Sequence, residues 1–153
     1  EASVETHWDL HGRSDMLLMS FHGLPVRFVS AGDPYQQQCE AGARALAKRL
    51  GLADGAWRLT YQSRFGREPW LGPATDASLR ELAAAGIKTV DMVCPGFAVD
   101  CLETLEENAI QNAGLFRAAG GEALHYIHAL NAEPAHVAAL AALARRHAQG
   151  WPH

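Results

Sequence analysis

The sequence has 153 residues, of which 48% are hydrophobic and 20% charged, and its formal net charge is −4. This length suits one domain with a substantial core, while the absence of a long apolar run and of a Lys/Arg cluster excludes a membrane-spanning protein and argues against a nucleic-acid partner. Its three cysteines have no C-x-x-C spacing, which argues against a disulfide framework or a zinc knuckle and indicates a reducing, cytoplasmic location.

The first residues, EASVETHWDLHG, place Val4 and Trp8 on one helical face before Gly12. The stretch has no initial Met and resembles the end of an element that began earlier. We therefore expect an N-terminal part of a larger protein to be missing from this chain.

Four short apolar or β-branched runs predict strands, at residues 16–21, 57–61, 88–93 and 123–129. Helices are predicted from Asp33-Pro34 to about Leu50, from Thr75 to Gly86, from Asp100 to about Ala118, and from Glu133-Pro134 onward. We expect Asp33 to cap its helix with Gln36 completing a capping box, and Thr75 to cap the next helix.

This alternation of strand and helix predicts an α/β fold, a four-stranded parallel sheet flanked by helices. In such sheets ligands bind at the edge formed by the carboxyl ends of the strands. His22 follows the first predicted strand and would lie at that edge, where its imidazole could accept a proton or ligate a metal. A histidine that merely caps a turn is an equally good interpretation of this position alone.

The segment DCLETLEEN places Asp100, Glu103 and Glu107 on one face of the predicted helix. Carboxylates at a helix start are favoured by the helix dipole and by solvent, so composition alone favours an ordinary solvated face. The order of the sheet nevertheless brings this turn beside His22, and a base facing oxygen ligands suits metal handling with proton abstraction.

The segment YQSRFGREPWLGP, residues 61–73, combines hydrogen-bonding, cationic and aromatic side chains in a long loop. It could bind a flat aromatic anion, although a solvated loop would have a similar composition. Other histidines are expected at the surface (His7, His11, His136, His147, His153), and His125 and His128 should point to opposite sheet faces. Cys94 and Cys101 are expected to be buried rather than nucleophilic.

Four motifs in series, LLMSFHGLP, GDPYQQQC, YQSRFGREPWLGP and VCPGFAVDCLETLEE, resemble the C-terminal half of the ferrochelatases, especially the proteobacterial ones. The resemblance covers nearly the whole chain. It implies that residues 1–153 are one of two similar α/β domains that face each other across a cleft, the N-terminal domain being absent here.

The resemblance also implies roles for individual residues. His22 and Glu103 match the catalytic pair of the family, and both would also contact the metal. Asp100 and Glu107 match further metal-side residues, in a helix that the family widens into a π-type turn. Substrate contacts are expected from Ser63, Arg64, Trp70 and Phe97.

The implied reaction is the insertion of ferrous iron into protoporphyrin IX, with porphyrin and Fe²⁺ as substrates. No tightly bound cofactor and no iron–sulfur cluster are expected. The implied partners are the N-terminal half of the enzyme and, peripherally, a membrane surface. Two alternatives stay open: a chelatase for another tetrapyrrole and metal, and an isolated porphyrin-binding domain without catalysis.

Overall fold

The computed structural model describes residues 1–151, and it has the predicted parallel α/β architecture. Four strands, β1 (Met16–His22), β2 (Trp57–Gln62), β3 (Thr89–Val93) and β4 (Ala123–Ile127), form one sheet in the order β2-β1-β3-β4. All neighbouring pairs are parallel. The fold class predicted from the sequence is therefore confirmed.

Helices cover both faces of this sheet. They are α1 (Ala2–His11), α2 (Val26–Ser30), α3 (Tyr35–Arg49), α4 (Thr75–Ala84), α5 (Leu102–Leu105), a π-helix (Glu107–Asn112), α6 (Ala113–Ala118) and α7 (Pro134–His147). None of the helices within residues 1–151 combines the length and the apolar character needed to cross a membrane.

Alternation of side chains along the strands produces two separate apolar cores. Leu17, Met19 and Phe21 pack on one face with residues of α1 and α3. Leu18 packs on the other face with α4 and α6, where Leu79 and Phe116 are fully buried. Burying a side chain of this size stabilises the fold by about 2–3 kcal/mol.

Two of the predicted helix starts need correction. Helix α3 begins at Tyr35, whose N–H donates to the Asp33 carboxylate at 2.9 Å as in a cap, but Gln36 pairs with Glu40 rather than closing a capping box. Thr75 does not cap α4; it is the first helical residue, and its buried hydroxyl hydrogen-bonds to those of Thr60 and Ser20 at 2.9 Å each.

The helix predicted from Asp100 to Ala118 is broken into three pieces. Asp100 precedes the first piece, α5, and the π-helix separates α5 from α6. The widened turn implied by the family resemblance is thus confirmed. Two other features differ from the prediction. The short helix α2 lies in a region predicted as loop, and β4 ends at Ile127 rather than at residue 129.

Sheet order places a crevice between β1 and β3. The chain leaving β1 turns to α3 on one face, whereas the chain leaving β3 turns to α6 on the other face. Ligands in open α/β sheets bind at such a switch point. The two loops that border it follow His22 and Val93 respectively.

Candidate functional site

His22 is the last residue of β1 and is half-buried at the carboxyl edge of the sheet. Its Nδ1 lies 2.7 Å from the carbonyl oxygen of Gly23. A carbonyl can only accept, so Nδ1 carries the proton, and in the neutral ring the lone pair is on Nε2. The backbone is fixed as well, because the Tyr35 hydroxyl donates to the His22 carbonyl at 2.9 Å. Nε2 is therefore the atom of this residue that can act as a base or ligand.

Trp70 packs against the turn that follows His22. A Cβ at Gly23 would lie 3.1 Å from Cε3 of Trp70 and only 2.7 Å from the carbonyl oxygen of Gln62, so this position requires glycine. The Trp70 indole N–H donates to the Phe65 carbonyl at 2.9 Å, and the two rings are 4.9 Å apart. Trp70 thus lies beside the strand end that carries His22.

A buried amide network connects this edge to the segment after β3. The Gln62 Oε1 accepts from the Ser20 hydroxyl at 2.7 Å and from the Asn108 side-chain amide at 2.6 Å. The Gln62 Nε2 in turn donates to the carbonyl of Glu103 at 2.6 Å, and Asn108 donates to the same carbonyl at 3.1 Å. Two buried amides therefore fix the backbone of Glu103 relative to β1 and β2.

The Glu103 carboxylate itself lies at the surface, on the side of His22. A hydrogen bond from the Cys101 thiol lowers the pKa of Glu103 most, followed by its own backbone N–H, and the nearby His22 imidazole lowers it further. Glu103 is thus an anion at neutral pH. Glu103 and His22 are thus near enough to interact electrostatically.

The Glu107 carboxylate is hydrogen-bonded to Ser63. Its two carboxylate oxygens accept from the Ser63 backbone N–H at 2.7 Å and from the Ser63 hydroxyl at 2.5 Å. Ser63 has a φ of 62°, a left-handed conformation that is uncommon for a residue with a side chain. Glu107 therefore positions the loop after β2.

Asp100 does not share a helical face with Glu103 and Glu107, so that prediction is wrong. Its carboxylate accepts from Tyr126 at 2.8 Å, from the Ala129 N–H at 3.1 Å and from Asn131 at 2.9 Å, and His128 lies 2.9 Å away. Burial alone would raise the pKa of Asp100, but these hydrogen bonds lower it far more. The physical reason is that the chain is still in a loop at Asp100 and turns toward the end of β4.

The remaining predicted site residues do not all lie beside His22. The Phe97 ring centroid is 6.4 Å from that of His22, so Phe97 borders the same edge. Arg64 instead forms an ion pair with Asp76, with Nη2 to Oδ1 at 2.8 Å, in the wall of a separate small pocket that also includes Glu107. Cys94 is buried as predicted, whereas Cys101 is only half-buried.

Sequence reasoning missed the structural part played by Gln62 and Asn108. The available signal was that Gln62, like His22, is a polar residue directly after a predicted strand. The sequence signal for Asn108 was weaker, because the inward direction of its side chain depends on the π-helix. His7 was also predicted at the surface, but it is half-buried and its Nε2 lies 3.3 Å from the buried Asp91.

These observations define a class of protein: a parallel α/β domain whose polar side chains converge at the switch point of the sheet. The ferrochelatase family profile matches residues 1–148. The chain belongs to the ferrochelatase family.

Curated ferrochelatases are similar to nearly all of this chain. The ferrochelatase of Nitrosococcus oceani is 58% identical over 154 residues, which cover 99% of this chain and 42% of the relative. That of Thioalkalivibrio sulfidiphilus is 54% identical over 150 residues, covering 98% of this chain and 41% of the relative. That of Methylococcus capsulatus is 57% identical over 135 residues, 88% of this chain and 42% of the relative. The chain therefore spans about two-fifths of the length of these relatives.

Proposed function

We propose that this chain is the C-terminal domain of a ferrochelatase that inserts Fe²⁺ into protoporphyrin IX to form protohaem. The proposal is supported by the family match and by the convergence of His22 and Glu103 at the sheet edge. The N-terminal half of the same enzyme would supply the opposite wall of the cleft. Peripheral contact with a membrane would then be a property of the whole enzyme.

Metallation of a porphyrin must remove two N–H protons from nitrogens that lie in the plane of the ring. A base placed over one face can take these protons while a metal donor approaches the other. The Nε2 of His22 has a free lone pair, because Nδ1 is bonded to the Gly23 carbonyl. We assign proton acceptance to His22 and delivery or neutralisation of the incoming cation to Glu103.

The other predicted residues take supporting parts in this proposal. Trp70 and Phe97 offer aromatic surface to a flat macrocycle near His22. Ser63 and Arg64 are engaged by Glu107 and Asp76, so they would bind its carboxylates only by exchanging these partners. Glu107 and Asp100 already accept several hydrogen bonds each, so they would guide the cation through their charge rather than bind it tightly. The match to the ferrochelatase family over residues 1–148 is the observation that carries the proposal.

The experiment is anaerobic metallation of protoporphyrin by the parent protein that contains this chain, followed by visible absorption. His22→Ala and Glu103→Gln are each expected to lower kcat at least about 100-fold, the usual contribution of a positioned acid–base group. His147→Ala and Glu122→Gln, which change exposed residues of the same types elsewhere, serve as matched controls and should keep the parental rate.

Circular dichroism would show whether each variant is folded. A folded His22→Ala protein with the parental rate would contradict the base assignment. A parent protein that metallates another tetrapyrrole with Co²⁺ or Ni²⁺ much faster than protoporphyrin with Fe²⁺ would instead support the alternative chelatase.

A further inference from the structure

A second group of potential ligands lies away from the His22 edge. Asp91 is paired in register with Leu17, five residues before His22 on β1, which corresponds to about 16 Å along the strand. Asp91 also projects to the sheet face covered by α1, where it meets His7, whereas His22 alternates to the other face. This group is thus spatially separate from the site proposed above.

The group consists of His7 on α1, Asp91 on β3 and His125 on β4, and we call it the His–Asp–His cluster. The Asp91 Oδ1 lies 3.3 Å from His7 Nε2 and 3.2 Å from His125 Nδ1. One potential ligand atom from each residue lies within 4.8 Å of the other two. Two imidazoles and one carboxylate are a common ligand set for zinc and related divalent ions.

The carboxylate at the centre is held in place by other residues. Trp8 donates its indole N–H to Oδ2 at 2.7 Å, and Ser14 donates its backbone N–H to the same oxygen at 3.1 Å and its hydroxyl to Oδ1 at 2.7 Å. The Asp91 side chain is 1% exposed. Burial would raise the pKa of Asp91, but the hydrogen bonds from Ser14, Trp8 and His125 hold it below its usual value. The group is thus a pre-oriented anion.

The two imidazoles contact Asp91 less closely than Ser14 does. Their 3.2–3.3 Å separations from Oδ1 are near the upper limit for a hydrogen bond, but they match the about 3.4 Å ligand-to-ligand edge of a tetrahedron with 2.1 Å metal bonds. Only the two imidazoles would have to approach each other, by rotation of rings whose centroids are 6.0 Å apart.

The cluster also has an open side. His7 lines a groove of about 760 Å³ between α1 and α7, together with His11, one helical turn further along α1. The His7 and His11 ring centroids are 4.8 Å apart, and two histidines at i and i+4 are a known zinc-binding arrangement. An ion could therefore enter through the groove and keep a fourth coordination position there.

We propose that His7, Asp91 and His125 form a binding site for a divalent transition-metal ion, with Zn²⁺ the best-fitting probe, on the face of the sheet opposite to His22. Such a site would join α1 to β3 and β4. It is independent of the proposed porphyrin chemistry.

The test uses the parent protein carrying His22→Ala, so that the His22 imidazole cannot contribute to binding, and counts bound Zn²⁺ by equilibrium dialysis. His7→Gln and His125→Gln, which keep an N–H donor for Asp91, should each lose one equivalent of Zn²⁺ or bind it at least tenfold more weakly. His136→Gln changes a histidine of the same groove outside the cluster and should retain the full stoichiometry.

Unchanged stoichiometry and affinity in both cluster variants would overturn the proposal, since the imidazoles would then only donate hydrogen bonds to Asp91. If these variants do not fold, X-ray absorption of the zinc-loaded His22→Ala protein provides the second measurement. It should show an ion with two imidazole nitrogens and one carboxylate oxygen at about 2.0–2.2 Å. Zinc without imidazole ligands would equally overturn the proposal.

Discussion

At the scale of single residues, the environment of His22 depends on close packing around its neighbour. Gly23 allows the turn to approach both the Gln62 carbonyl and the Trp70 ring, and its own carbonyl fixes the tautomer of the His22 imidazole. A change at residue 23 would thus disturb two features of the candidate site at once. The packing of this turn can be tested independently of catalysis.

We expect Gly23→Ala to lower the free energy of unfolding by about 1–3 kcal/mol, because the added methyl group would overpack against a carbonyl oxygen and an indole ring. Urea unfolding followed by tryptophan fluorescence measures this change. Gly42→Ala is the control: residue 42 is exposed within α3, with open space for a Cβ, and alanine there should stabilise the protein by about 0.5–1 kcal/mol. Equal effects of the two substitutions would contradict the packing argument.

At the scale of elements, the segment between β3 and α6 is positioned from two sides. The π-helix turns Asn108 inward, so that it and Gln62 hold the Glu103 carbonyl. Asp100 connects the start of the same segment to the end of β4 through Asn131, which both donates to its carboxylate and accepts its backbone N–H at 2.8 Å. The segment carrying Glu103 is therefore held in place by polar contacts.

The Asp100 contacts predict a pH dependence of stability. Because hydrogen bonds lower the pKa of Asp100 in the folded state, its contribution is complete above the unfolded pKa of about 3.9 and is lost as the pH falls toward the folded pKa. Asp100→Asn should cost about 2 kcal/mol at pH 7 and should flatten the loss of stability between about pH 5 and pH 2.

Urea unfolding of both proteins across this pH range measures the difference. Some slope will remain in the variant, because the pKa values of Asp15, Asp76 and Asp91 are also lowered. Asp9→Asn, at an exposed position of α1, is the control and should leave the pH profile unchanged. A profile of the Asp100 variant parallel to that of the unmodified chain would refute this account.

At the scale of the whole molecule, the candidate site has one wall. His22, Trp70, Phe97 and Glu103 lie along the carboxyl edge of a single sheet, and the chain spans about two-fifths of its relatives. A flat macrocycle laid on this edge would keep its other face open to water. Enclosure of the substrate would depend on the remainder of the parent protein.

We therefore expect the 153-residue chain alone to metallate protoporphyrin at no more than about 1% of the parental rate, because positioning and exclusion of water contribute at least two orders of magnitude. Anaerobic visible absorption measures turnover, and quenching of porphyrin fluorescence measures binding. Binding without turnover would be the result expected of a chain that supplies only one side of the substrate site. Turnover at the parental rate would show that one wall suffices.

Several predictions depended on local signals and were accurate for that reason. The strand starts and ends agree within a few residues, since short apolar runs between turn-forming residues have few alternative structures. The position of His22 at the sheet edge followed directly from its place at the end of the first predicted strand. Asp33 accepts the N–H of Tyr35 at the start of α3, as a cap does, but the predicted capping box with Gln36 is absent because Gln36 pairs with Glu40. The Thr75 cap was wrong because the Thr75 hydroxyl joins a buried hydroxyl network contributed by distant strands.

Local periodicity was enough to predict the alternation of strands and helices, the parallel sheet and the residues at its carboxyl edge, and four sequence motifs were enough to predict the family. Which carboxylates are already hydrogen-bonded depends on contacts between elements that are distant in the sequence. Asp100 and Glu107 are satisfied by β4 and by the loop after β2, and His7 and His125 meet across Asp91, 84 and 34 residues away from it. Such pairings depend on the strand order and on the π-helix, which no spacing along the chain specifies.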